Sequence, residues 1–343
     1  MWGKFFCLIL ISMKSKKFYK KLFWLKSNKF QLRCAEYYSF NSTPKADILI
    51  IPGLSEFIER YDLVAKHLVN QNFRVAVIDL PGQGLSSRFG SPKTVIHLDK
   101  FSNYLDSMHL IIKSLKFGSE RPLIFFGHSL GGFLSLYYQT QSNHVKSNYF
   151  IKPKFSIAIA PMMGLPVNKF LSTIIIYINR FLYLTNLSNI GFNNNLAAFA
   201  SFIGFAGKNV VSSVSKASDY WKNKENIDYF GKETSSEALS HFERNINLDT
   251  KGPSWNWVSN ALMECKGLIN DIKNNNMISP TLMIIADDEY VTDPQAQKLA
   301  IKLLDRVEQI NLPSCRHDIL HEKEEVKKKF WCEVDKFMTK NLS

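Results

Sequence analysis

Gly127-His128-Ser129-Leu130-Gly131-Gly132 closes the apolar run Leu123-Ile124-Phe125-Phe126 and opens the helix-compatible Phe133-Leu134-Ser135-Leu136-Tyr137-Tyr138. A strand that enters a helix through so tight a turn forces its central residue into a strained backbone, and glycines on either side leave room for it. Ser129 would then project alone from the end of a sheet, placed as a nucleophile. A glycine-rich turn with a surface serine is the plainer reading of five residues; the strand before and the helix pattern after count against it. A serine hydroxyl is a weak nucleophile at neutral pH, so the turn calls for a histidine to take its proton and a carboxylate to orient that histidine.

Where such a turn caps a parallel sheet, the acid and then the histidine follow the serine in the chain. Thr281-Leu282-Met283-Ile284-Ile285-Ala286 has the pattern of a buried strand and runs into Asp287-Asp288-Glu289-Tyr290-Val291-Thr292-Asp293. Val307–Leu312 reads as the last strand, and Pro313-Ser314-Cys315-Arg316-His317-Asp318 as the loop after it. Alone, His317 would be a surface-loop histidine; one strand after the acids, it stands where the order demands a base. Three adjacent acids could also suggest a divalent metal, but no His-x-x-x-His or clustered cysteines accompany them, so no metal and no cofactor are expected. A tetrahedral intermediate needs donors for its developing charge. The strand Asp47–Ile51 followed by Pro52-Gly53-Leu54-Ser55-Glu56 offers the backbone N–H of Leu54, and the residue after the serine offers that of Leu130.

Ile51-Pro52-Gly53-Leu54-Ser55-Glu56-Phe57-Ile58-Glu59-Arg60-Tyr61, Val77-Ile78-Asp79-Leu80-Pro81-Gly82-Gln83-Gly84-Leu85-Ser86-Ser87-Arg88 and the serine turn together resemble the bacterial lysophospholipase and monoacylglycerol lipase group of α/β hydrolases. The Gly-x-x-Glu-Phe-Ile-Glu-x-Tyr form, Gly252-Pro253-Ser254-Trp255-Asn256-Trp257 and His317-Asp318-Ile319-Leu320-His321-Glu322 are similar to the lysophospholipase branch. The resemblance implies a Ser-acid-His triad acting on a lipid ester. It implies Glu289 as the acid, because the family's Gly-x-x-Asp-x-Val-x-Asp pattern aligns on Val291 and Asp293; Asp288 is the alternative. One departure is Pro52-Gly53 at the oxyanion turn, where the family usually has His-Gly or an equivalent polar pair. The backbone donor survives, and what supports it changes.

These residues need a parallel sheet to hold them. Strand patterns at 47–51, 73–79, 122–126, 155–160, 281–286 and 307–312 alternate with helical ones at 61–71 and 101–116, the signature of an α/β fold with a mostly parallel sheet covered on both faces. The α/β-hydrolase core is expected over 28–160 and 261–343, and the interval 161–260, all helix and loop, reads as an inserted cap. The cap runs Phe170–Ile178, Phe181–Leu184 and Leu196–Phe205 are apolar enough either to meet an acyl chain or to pack on the core. Asn179-Arg180 interrupts them, against a membrane span of ~20 apolar residues.

The formal net charge is +13, and nine Lys or Arg with no acid in residues 1–33 supply most of it. Residues 1–27, with aromatics among the lysines, read as a basic amphipathic segment suited to an anionic membrane surface, or as a tail shaped by composition alone. No Ala-x-Ala-like site follows the apolar start, against a secretory signal. No nucleic-acid-binding module is recognisable. The five cysteines include no Cys-x-x-Cys pair and fit reduced thiols, so a cytoplasmic location is expected, and the basic segment and the cap would allow peripheral contact with the inner face of the membrane. A monoacylglycerol lipase, acyl thioesterase or acyltransferase would use the same triad, and a non-catalytic lipid- or protein-binding scaffold is the reading from another class.

Overall fold

Asp47–Ile51 (β4) and Leu123–His128 (β7) are buried at every position, as strands covered on both faces must be. They lie side by side in parallel register, Ile51 opposite Gly127. In the computed structural model, which describes residues 5–7, 18–40, 43–141, 150–191, 216–274 and 278–343, they centre one sheet. Its other strands are β1 (Phe5–Cys7), β2 (Phe18–Lys26), β3 (Gln31–Ser39), β5 (Arg74–Ile78), β8 (Phe155–Ile159), β10 (Thr281–Asp288) and β11 (Val307–Arg316), in the order β1-β2-β3-β5-β4-β7-β8-β10-β11. From β5 to β11 all neighbours are parallel; β1, β2 and β3 are antiparallel.

Side chains alternate between faces along each strand. Leu49, Ile51 and Phe125 join Met108, Phe133 and Trp257 from helices α2 (Ser102–Leu115), α3 (Leu130–Gln141) and α8 (Trp255–Asn274). Ile48, Ile50, Ile124 and Phe126 join Leu68 of α1 (Asp62–Asn70) and Phe330 and Val334 of α9 (Glu324–Leu342) on the other face. This is the expected α/β-hydrolase arrangement.

Two boundaries differ from the sequence reading. Phe18–Lys26, assigned to the basic segment 1–27, is a sheet strand that pairs residue for residue with β3. Phe23 and Leu25 are buried on one face of it, and Lys20, on the other face, is itself buried and donates to Asp62 at 2.7 Å. Ser27 closes the turn by accepting the N–H groups of Lys29 and Phe30. Residues 1–4 and 8–17 lie outside the described residues, as does the apolar run Leu196–Phe205. The interval 161–260 contains helices α4 (Lys169–Leu184), α5 (Ala217–Lys222), α6 (Lys224–Phe230) and α7 (Lys232–Arg244). Its last part belongs to the core: β9 (Lys251–Pro253) pairs with β6 (Val95–Ile96), and α8 starts at Trp255 and buries Trp257 and Ala261. A three-residue strand carries no periodic signal, so the sequence could not show it.

Candidate active site

Ser129 occupies the joint between β7 and α3 with φ at 53°, a left-handed backbone that a residue with a side chain rarely adopts. The joint closes on itself: the Ser129 N–H donates to the Ile159 carbonyl at 2.8 Å, while the N–H groups of Phe133 and Met162 donate to the Ser129 carbonyl. A Cβ on Gly131 would lie 1.8 Å from the Ile51 carbonyl oxygen, and one on Gly127 would lie 2.2 Å from that of Gly131. The two glycines are thus imposed by backbone contact.

β10 and β11 both run further than their apolar cores suggest, and their register shifts between Ala286 and Asp288 so that Asp288 lies opposite Arg316. Glu289 and His317 follow directly from these strand ends. Glu289 Oε2 lies 2.8 Å from His317 Nδ1, and Oε1 accepts the N–H groups of Val291 and Thr292. Burial raises the Glu289 pKa, but the imidazole and those two N–H groups outweigh it and hold the carboxyl below its ordinary value. Asp288 is instead 64% exposed and lies 3.5 Å from Arg316. An imidazole held at Nδ1 by a carboxylate presents Nε2 as a base. The His317 ring lies 5.1 Å, centroid to centroid, from that of His128, the neighbour of Ser129. No hydrogen bond joins Ser129 Oγ to His317; such contacts are often long without substrate and tighten when it binds.

The turn Pro52–Glu56, expected to supply an oxyanion donor, is held by side chains that sequence reading missed. Gln83 Nε2 donates to the carbonyls of Gly53 at 2.7 Å and Glu56 at 2.9 Å, and Glu56 Oε2 accepts the Gly53 N–H. Ser55 has φ at 66° and donates its N–H to Gln83. The N–H groups of Leu54 and Leu130 have no acceptor among the described residues, Leu130 because it heads a helix.

Beneath these groups lies a buried charged cluster, also missed. Oxygen and nitrogen atoms of Glu56, His128 and Asp318 lie within 4.8 Å of one another. That grouping has the donor types of a metal site, but Arg60 supplies the cation, 2.6 Å from Asp318 and 3.9 Å from Glu56. The Tyr61 hydroxyl donates to Glu56, and the Trp221 ring of α5 covers the Arg60 guanidinium at 5.2 Å. Arg316 is clasped by the cap, 4.1 Å from the Tyr229 ring centre and 2.8 Å from Glu225. The sequence signals were the Gly-x-x-Glu-Phe-Ile-Glu-x-Tyr form, which fixes Glu56 and Tyr61, and the charge density of Glu56-Phe57-Ile58-Glu59-Arg60 inside a turn.

Residues 42–324 match the family model described as serine aminopeptidase, S33. The chain is 30% identical over 101 residues to the phospholipase YtpA of Bacillus subtilis, covering 29% of this chain and 37% of that protein. It is 29% identical over 114 residues to lysophospholipase L2 of Escherichia coli K12, covering 33% of this chain and 34% of that one. The matches thus span little more than a third of these curated relatives. Among solved structures, a soluble variant of monoglyceride lipase from Saccharomyces cerevisiae superposes with a TM-score of 0.66 at 15% identity, covering 93% of this chain and 95% of that one.

Proposed function

The chain belongs to the serine aminopeptidase S33 family and has the α/β-hydrolase fold, and from that premise we propose that it hydrolyses carboxylic esters of lipids, acting as a lysophospholipase. The observation that carries this is the Glu289 carboxylate on His317 Nδ1 at 2.8 Å, beside a serine in a left-handed turn. His317 Nε2 takes the Ser129 proton as Oγ attacks the acyl carbonyl. The N–H groups of Leu54 and Leu130 stabilise the oxyanion, worth about 10²–10³ in rate for each such donor. His317 then protonates the departing alcohol, and water activated by the same nitrogen releases the fatty acid and frees Ser129. Glu289 holds the imidazole in the tautomer that makes Nε2 basic.

Two observations support a lipid substrate. The matched relatives are a phospholipase and a lysophospholipase, and the cap helix α4 turns an apolar face outward, with Phe170, Tyr177, Phe181 and Leu184 all more than 60% exposed. No helix among the described residues is long and apolar enough to cross a membrane. We assign the cap to residues 161–250 and give α4 a peripheral contact with the cytoplasmic face of the membrane, assisted by the basic residues at the start of the chain.

Labelling with a fluorophosphonate probe, in wild type and Ser129→Ala, tests the nucleophile; equal labelling of the variant would refute it. Turnover of lysophosphatidylethanolamine is then compared with that of monoacylglycerol, acyl-CoA and an amino-acid p-nitroanilide. Preference for the lysophospholipid is expected. Preference for monoacylglycerol or acyl-CoA would overturn the substrate class, and cleavage of the anilide alone would overturn the ester chemistry.

A further inference from the structure

His128 is 2% exposed, and both of its ring nitrogens face oxygen acceptors: Nδ1 lies 3.0 Å from Glu56 Oε1, and Nε2 lies 3.0 Å from the main-chain carbonyl oxygen of His317. We infer that His128 is a positioning residue protonated at neutral pH, an imidazolium that ties the oxyanion turn to the backbone of His317; the inference rests on the hydrolase reading above. A carbonyl oxygen can only accept, so Nε2 carries a hydrogen. One further proton lies between Nδ1 and Glu56. It resides on nitrogen because Glu56 already receives the Gly53 N–H and the Tyr61 hydroxyl, with Arg60 3.9 Å away, all of which favour the carboxylate.

The charged and titratable groups around the ring agree with this assignment. Glu56 from the turn and Asp318 from the histidine loop favour the cation; Arg60 opposes it but is itself bound to Asp318 at 2.6 Å, which His321 also approaches at 2.8 Å. Burial pulls the His128 pKa down, yet Glu56 first, then Asp318 and the His317 carbonyl, raise it to about 9. Burial pushes the Glu56 pKa up, and His128 and Arg60 bring it down to about 2. The mechanical consequence follows from connectivity. Glu56 grips the amide of Gly53, next to Leu54, and His128 grips the carbonyl of His317, so one ion pair fixes the spacing of an oxyanion donor and the base on either side of Ser129.

The test uses the full chain labelled with 15N-histidine, with ring nitrogens observed at about pH 8, where an ordinary histidine of pKa ~6.5 is neutral. One of the eight histidines should show both nitrogens protonated, and through-bond transfer from the Gly127-His128-Ser129 backbone should assign it to His128. A neutral tautomer at His128 overturns the inference. In a second arm, His128→Gln should lower kcat on a p-nitrophenyl ester about 10²-fold, the scale of a ~1 Å misplacement, with little change in KM and loss of any alkaline limb in the pH profile near 9. Unchanged kcat also overturns it. Should that variant not fold, the wild-type spectrum still decides. Fluorophosphonate labelling separates the two readings: a labelled Ser129 with a neutral His128 sinks the inference alone, whereas an unlabelled Ser129 with a charged His128 sinks the hydrolase reading.

Discussion

Three adjacent acids stand at the end of β10, and position past the last strand residue, Asp288, decides which of them meets His317. Glu289 reaches Nδ1 while its own carboxylate is held by the N–H groups of Val291 and Thr292, whereas Asp288 points to solvent and Arg316. Glu289→Gln keeps the size but can donate to Nδ1, leaving the hydrogen on the wrong nitrogen, so kcat should fall by about 10⁴. Asp288→Asn should stay close to wild type in the same steady-state assay, and a collapse of that variant instead would reassign the acid. Ser129 and His317 were legible in the sequence because the α/β-hydrolase fold sets the order of serine, acid and histidine along the chain and their strands announce themselves. Glu56, His128, Arg60 and Asp318 were not, because their meaning lies in contacts between residues 72 and 258 positions apart.

At the level of elements, the serine turn survives only because backbone occupies the space that side chains would need. Gly131→Ala would set a methyl 1.8 Å from the Ile51 carbonyl oxygen, an overlap that only displacement of β4 or α3 can relieve. Its cost should exceed about 4 kcal/mol, read as loss of the cooperative thermal transition. The parallel half of the sheet was legible because unbroken apolar runs mark strands covered on both faces. β2 was not, since lysines interleaved with aromatics fit an amphipathic tail as well as a strand. Helix α4 poses the opposite problem: it is apolar, yet only Ile175 and Asn179 along it are buried. Replacing Phe170, Tyr177 and Phe181 together by Ser should barely move the melting temperature, because exposed side chains contribute little to folding. It should sharply reduce sedimentation with anionic vesicles while leaving turnover of a dissolved p-nitrophenyl ester intact; unchanged sedimentation would remove α4 from the membrane contact.

For the whole molecule, a buried ion pair makes folding depend on pH in a direction fixed by the two shifts. The His128 pKa is raised from ~6.5 in the unfolded chain to about 9 in the fold, so its contribution is complete below ~6.5 and is lost as pH rises through about 9. The Glu56 pKa is lowered to about 2, so its contribution is complete above the unfolded value of ~4.3 and is lost as pH falls through about 2. Both act fully between those unfolded values. Burial holds His67, His97, His109 and His241 below the ordinary histidine value, so they do not contribute to an alkaline transition. Urea unfolding of wild type and His128→Gln should therefore differ by on the order of a few kcal/mol near pH 6, taking about 1.4 kcal/mol per pKa unit. The gap should narrow as pH approaches 9, because the wild type gives up its proton there and the variant has none to give. Parallel curves across that interval would mean that the folded chain binds no extra proton at position 128, and the tie between the oxyanion turn and the histidine loop would then be a neutral hydrogen bond.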